Sequence, residues 1–228
     1  TTEKAIGEAA TTSLYLPQSV GRIKKYISNA KFIAILRQPA ERAYSSYMHL
    51  IRDHREPVKD FREALKLEDR RIADHWGFMW HYTSMGFYYE QIKRFYDNFD
   101  REQIRIYLHD EFAENPLYVI QDIFTFLEVD PTFEPYMQVK ANVSGIQKSK
   151  LVEMVTRTLF EKPNPLRYVA RRTISQEQRW RMTTMIQNSN LKRQTLSPTL
   201  HHELTELFRE DIIKLQDLID KDLTHWLT

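Results

Sequence analysis

The 228-residue chain contains no cysteine. That excludes a disulfide framework, a thiolate nucleophile and a cysteine-ligated metal, and it suits a reducing compartment. Glycine is scarce, with 5 residues in all, so tight turns are few and a helix-rich chain is expected. No stretch approaches the ~20 apolar residues that a membrane-crossing helix needs. The first residues, Thr1-Thr2-Glu3-Lys4, do not resemble a signal peptide. A large excess of one charge is missing too: the formal net charge is +2, which gives no case for a nucleic-acid partner. A soluble, cytoplasmic protein is the expectation. One sequon, Asn142-Val143-Ser144, stands without secretion signals and is read as chance or as loop chemistry.

The length suits one domain with a substantial core. A helix is expected from Pro17 to Ser28, with the proline where its missing N–H matters least. The nearly continuous apolar run Lys31 to Arg37 reads as a strand buried on both faces. Pro39 then opens a helix to Arg52, and the mixed-charge run from Asp53 to Glu56 reads as a solvated connection. A further helix holds Phe61 and Leu65, and an aromatic-rich helical region is expected from Ile72 to Phe99. Residues Gln103 to Leu108 alternate at period two, which predicts a second strand. Asn115-Pro116 pairs an N-cap with a first-turn proline. An irregular stretch is expected from Pro131 to Lys148. The final long helix runs from Thr199 to Asp220 and carries Leu204, Leu207, Phe208 and Ile212. Strands alternating with helices predict a helix-rich, three-layer α/β domain with a mainly parallel sheet, although only two strands are evident.

The segment from Lys31 to His49 concentrates the chemistry. Arg37 ends a strand, a proline starts the next helix, and Arg42, Ser45 and His49 share one helix face by their spacing of three and four. Open α/β sheets bind ligands at this end, helix N-termini favour anions, and an arginine fork donates two hydrogen bonds to a phosphate. These residues point to an anion site without naming the anion. The alternative is a salt-bridged Arg37 and Arg42 beside a surface serine.

The same residues, Lys31-Phe-Ile-Ala-Ile-Leu-Arg-Gln-Pro-Ala-Glu-Arg-Ala-Tyr-Ser-Ser-Tyr-Met-His49, closely resemble the 3′-phosphate-binding segment of sulfotransferases that use 3′-phosphoadenosine 5′-phosphosulfate (PAPS). The similarity is greatest to the branch of heparan sulfate sulfotransferases and their bacterial relatives. It extends to Ile6-Gly7-Glu8 with Tyr15-Leu16-Pro17, to a Gly-x-Tyr-x-x-Gln segment at Gly86, Tyr88 and Gln91, to Ile106 through Phe112, to Asn142-Val143-Ser144-Gly145, and to the terminal Asp222-Leu223 and Trp226-Leu227. The resemblance implies a P-loop-like fold and sulfuryl transfer from PAPS to an acceptor hydroxyl or amine, with 3′,5′-adenosine bisphosphate as product and no metal. It implies that Arg37 and Ser45 hold the 3′-phosphate and that Arg42 is mainly structural. His49 matches an active-site histidine of some N-sulfotransferases. Lys148 and Lys150 correspond to a basic loop over the nucleotide, and Glu8 is a candidate for substrate contact.

One departure stands out. The family's N-terminal strand and Lys-x-Gly-Thr-Thr loop, which cradles the 5′-phosphosulfate, are not found in residues 1–228, and Thr1-Thr2 does not recreate that loop. The expectation is a single sulfotransferase domain over 1–228 whose first strand and loop precede the given sequence. Two other functions remain open at this point, a P-loop-type nucleotide kinase and a non-catalytic binding domain without its P-loop. The acceptor is open among glycan, lipid, polyketide and small alcohol. His201-His202-Glu203 matches no metal-ligand spacing and reads as a wet helical face. Of the aromatic group Trp76, Phe78, Trp80, Tyr82, Phe87, Tyr88 and Tyr89, most are expected in the core, with one or two at an acceptor cleft.

Overall fold

The structure, a computed structural model, describes residues 3–137, 145–149, 175–192 and 194–228. Its internal contacts divide the chain into two compact units, one of Thr1–Ser46, Asp60–Glu134 and Leu196–Thr228, the other of Tyr47–Lys59 and Pro135–Thr195.

The first unit begins with helices α1 (Thr11–Tyr15) and α2 (Pro17–Tyr26), the latter opened by Pro17 at its first turn. Strand β1 (Phe32–Leu36) follows, then helix α3 (Pro39–Arg52), which runs from this unit into the second. Short helices α4 (Phe61–Lys66) and α5 (Glu68–Ala73) precede α6 (Tyr88–Tyr96), strand β2 (Ile104–Leu108), α7 (His109–Glu114) and α8 (Pro116–Phe126). Asn115 caps α8 by accepting from the Tyr118 amide at 3.3 Å, just ahead of Pro116. β1 and β2 pair in parallel, Phe32 opposite Ile104 through Leu36 opposite Leu108. Both strands therefore deliver their carboxyl ends to one side.

The second unit holds strands β3 (Ile146–Gln147) and β4 (Leu191–Lys192), paired antiparallel, and helix α9 (Gln176–Ser189). Asn190 clasps this unit, donating to the Ser149 carbonyl at 2.9 Å and accepting from the Ser149 amide at 3.0 Å. Two-residue strands are below what periodicity can register, which is why this pair was not expected.

Helix α10 (Pro198–Ile219) returns to the first unit. Leu200, Leu204, Phe208, Ile212, Leu215 and Ile219 form a buried stripe at helical spacing, while Leu207 turns outward and is 51% exposed. Each such burial contributes roughly 1.5–3 kcal/mol, which makes α10 a main support of this unit's core.

Three expectations need correction. β1 is not buried on both faces: Ile33 and Ile35 are 38% and 46% exposed, because among the described residues no element covers that side. The region from Ile72 to Phe99 is not one helix. α5 ends at Ala73, His75 takes a positive φ of 57°, and single turns at Phe78–Trp80 and Ser84–Gly86 precede α6. Glu56 is not a solvated charge: it is buried in the second unit, and its carboxylate accepts from the Val58 amide at 2.8 Å.

Candidate functional site

Arg37 follows β1 directly, and α3 begins two residues later. The start of α3 is fixed by Gln38, a buried residue that sequence reasoning passed over. Its side-chain oxygen accepts from the Glu41 amide at 2.8 Å and so caps the helix. Its amide nitrogen donates to Thr205 Oγ1 at 3.1 Å and to the Trp226 carbonyl at 3.3 Å. These partners lie far away in sequence, so no local pattern could have revealed the cap.

The Arg37 guanidinium does not stand free. Its Nε and Nη2 donate to Glu41 Oε2 at 3.0 and 2.8 Å, with both side chains partly exposed. Its backbone carbonyl accepts from the Tyr88 hydroxyl at 3.1 Å. Ser45 is half-buried, and among the described residues its hydroxyl has no hydrogen-bond partner. The neighbouring Ser46 is engaged instead, donating to the Met79 carbonyl at 2.9 Å.

Arg42 is held quite differently. Its Nη2 donates to the carbonyls of His81 and Tyr82 at 3.2 and 2.8 Å, and its buried Nε has no partner among the described residues. Burial lowers its pKa, with Tyr88 and Glu68 opposing the shift. Glu68 is buried as well and accepts from the amides and hydroxyls of Thr83 and Ser84 at 2.7–3.1 Å. A single stretch of chain, 81–84, thus offers carbonyls to a part-buried cation and N–H and O–H groups to a buried anion. Neither contact appears in the sequence pattern, because main-chain atoms carry most of it.

The Gly-x-Tyr-x-x-Gln segment now has a physical reading. A Cβ on Gly86 would meet the buried Phe208 ring at 2.9 Å and Pro39 Cβ at 3.3 Å, so only glycine lets this turn approach the head of α3. Tyr88 reaches the Arg37 carbonyl, and Gln91 satisfies the carbonyls of Phe87 and Met85 at 2.7 and 3.3 Å.

A family model described as the sulfotransferase domain matches residues 13–226. The chain belongs to the sulfotransferase family. Among solved structures, a sulfotransferase from Alicyclobacillus acidocaldarius matches with a TM-score of 0.72 and 31% identity, covering 99% of this chain and 69% of that one. No curated protein matches the sequence. This sulfotransferase chain has the helix-rich α/β, P-loop-like fold of that neighbour, with its small parallel sheet.

The remaining candidates are placed as follows. His49 lies on the second-unit part of α3, half-buried, and burial together with Arg52 pushes its imidazole below the ordinary value against the opposing Asp53. Glu8 is exposed in the segment ahead of α1. Lys148 is exposed in the second unit and donates to the Ser189 carbonyl at 2.9 Å. Lys150 and Asn142-Val143-Ser144 lie outside the described residues. Trp80, Tyr82 and Tyr88 are buried, whereas Trp76, Phe78 and Phe87 are each more than a third exposed. Glu203 pairs with Arg62 at 3.0 Å on the helix surface. Among the described residues no His, Asp or Glu cluster is arranged to hold a metal, and no helix is long and apolar enough to cross a membrane.

Proposed function

We propose that this sulfotransferase takes its sulfuryl group from PAPS and that Arg37 and Ser45 hold the nucleotide's 3′-phosphate. One observation carries the reading: at the carboxyl end of β1, a partly exposed guanidinium precedes a helix whose Ser45 hydroxyl has no partner among the described residues. An arginine with a free edge and a neutral donor suit a phosphate dianion. In the reaction the sulfur–oxygen bond to the 5′-phosphate breaks as a bond forms from sulfur to an acceptor oxygen or nitrogen. The acceptor's proton passes to a base, and 3′,5′-adenosine bisphosphate leaves. His49 is the proposed base, since an imidazole pushed below its ordinary value is neutral near pH 7 and can accept a proton. Lys148 and Lys150 are proposed to add positive charge toward the nucleotide, and Glu8 to touch the acceptor, which is a glycan, lipid, polyketide or small alcohol. A cytoplasmic setting is part of the proposal.

Residues 1–228 are read as one sulfotransferase domain, because the family match runs through both units. A longer form of the protein would carry a further strand and a Lys-x-Gly-Thr-Thr-like loop. The exposed Ile33 and Ile35 support this. Sequencing the complete gene checks that part.

Titration calorimetry with 3′,5′-adenosine bisphosphate and AMP tests the central assignment. The bisphosphate is expected to bind far more tightly, and equal affinity for the two overturns the reading.

A further inference from the structure

We infer that Glu41 is a positioning residue for Arg37, gripping one edge of its guanidinium so that the other edge meets the nucleotide's 3′-phosphate. The inference rests on the assignment of Arg37 and Ser45 proposed above.

The grip is one-sided. Nε and Nη2 both donate to a single carboxylate oxygen, Glu41 Oε2, at 3.0 and 2.8 Å. Nη1 has no partner among the described residues. A carboxylate on the Nε side leaves the Nη1–Nη2 edge available, and that edge can give a phosphate two parallel hydrogen bonds.

The pair is too exposed to matter much for folding. An i, i+4 ion pair on a helix surface contributes little to stability. A long arginine side chain, by contrast, surrenders much rotamer freedom when it is ordered. An ion pair that orders Arg37 in advance removes part of that loss from nucleotide binding.

The backbone around the pair is also anchored on both sides. Tyr88 bonds the Arg37 carbonyl at 3.1 Å, and the buried Gln38 side chain bonds the Glu41 amide at 2.8 Å. The two side chains therefore meet at positions set by α6 and α10 and not by a loose loop.

Position along the helix sharpens the question. Glu41 and Ser45 are one turn apart on the same flank of α3, so the carboxylate is a neighbour of both proposed phosphate-holding residues. A carboxylate in that place either steadies the arginine or competes with the phosphate for it. The free outer edge favours the first, and the two roles predict opposite signs.

The test is a double-mutant cycle on the full chain with Glu41→Ala, Arg37→Ala and both together. Calorimetry reads the preference for 3′,5′-adenosine bisphosphate over AMP, and thermal melting is followed alongside. Glu41→Ala is expected to reduce the preference about five- to tenfold, within the coupling range of residues in one ion-pair network. The melting temperature should hardly move. In the Arg37→Ala background the second change should do nothing further. Glu41→Gln, which keeps an acceptor oxygen, should lose less than Glu41→Ala.

A tighter complex with Glu41→Ala would identify a competitor and overturn the inference. An unchanged preference would leave only a surface ion pair, and full additivity in the double variant would show that Glu41 does not act through Arg37. Either result overturns it as well. If Arg37→Ala alone leaves the preference intact, the 3′-phosphate assignment itself has failed, and the single variant reports that separately.

Discussion

Arg37 and Arg42 lie at the head of the same helix, yet they live in different solvents. Arg37 keeps about a third of its side chain in water and is matched by a carboxylate, Glu41. Arg42 is more enclosed: its Nη2 donates to two carbonyls, its Nη1 approaches Met85 Sδ, and its buried Nε has no partner among the described residues. A half-exposed pair in high dielectric can rearrange at little cost, so Arg37 is free to exchange or share partners with a ligand. A buried guanidinium cannot, because every lost partner is an unpaired donor in a poor solvent. One arginine is adaptable and the other is part of the frame.

That contrast can be broken by experiment. Arg42→Ala should cause the largest change, since it strands the carbonyls of His81 and Tyr82 and removes a cation that offsets buried Glu68. A loss of about 3–5 kcal/mol is expected, as for one partner of a buried charged network. For a chain of this size that is roughly a 10 °C fall in melting temperature. A shift of a degree or two would put Arg42 in the same class as Arg37. Arg37→Ala should do the reverse, leaving melting nearly unchanged while reducing the bisphosphate preference by about 2–4 kcal/mol.

His49 offers an intermediate case, half-buried on the second-unit stretch of the helix. If it is the base, His49→Ala should slow sulfation roughly a hundredfold while nucleotide affinity and melting persist. A normal rate in the folded variant would remove it from the mechanism, and a large drop in melting alone would make it a packing residue. The smallest expected effect is in the pH profile. A neutral imidazole is the active form, and burial holds this one below the ordinary value of about 6.5. The rate should therefore fall only as pH drops below that value and stay level through neutrality. An acid limb centred above pH 7 would contradict this.

What the sequence disclosed follows the same division. The strand ending at Arg37, the proline-started α3 and the buried stripe of α10 are local patterns with a clear period, and they were legible. So was a mainly parallel sheet, which β1 and β2 realise by pairing with each other. The open face at Ile33 and Ile35 was not, because an apolar run indicates what a strand can bury and not what is present to cover it. The cap at Gln38 depends on Thr205 and Trp226, and the partner of Arg37 became apparent only when the helix placed Glu41 beneath it. Glu68 sits in a run of charges that reads as surface, and nothing nearby announces that Thr83 and Ser84 will enclose it. Contacts made by main-chain atoms leave no signature in residue identity.

The stretch from His81 to Ser84 has a consequence for how this protein can vary. Any residue supplies a carbonyl, so substitutions at His81 or Tyr82 can leave the hydrogen bonds to Arg42 in place while their side chains change. The length of the stretch has no such freedom. One residue inserted or deleted there would move carbonyls off Arg42 or amides off Glu68, and both charges lie too deep for water to take over. The length of this short peptide is thus held by main-chain contacts that a change of side chain alone does not break.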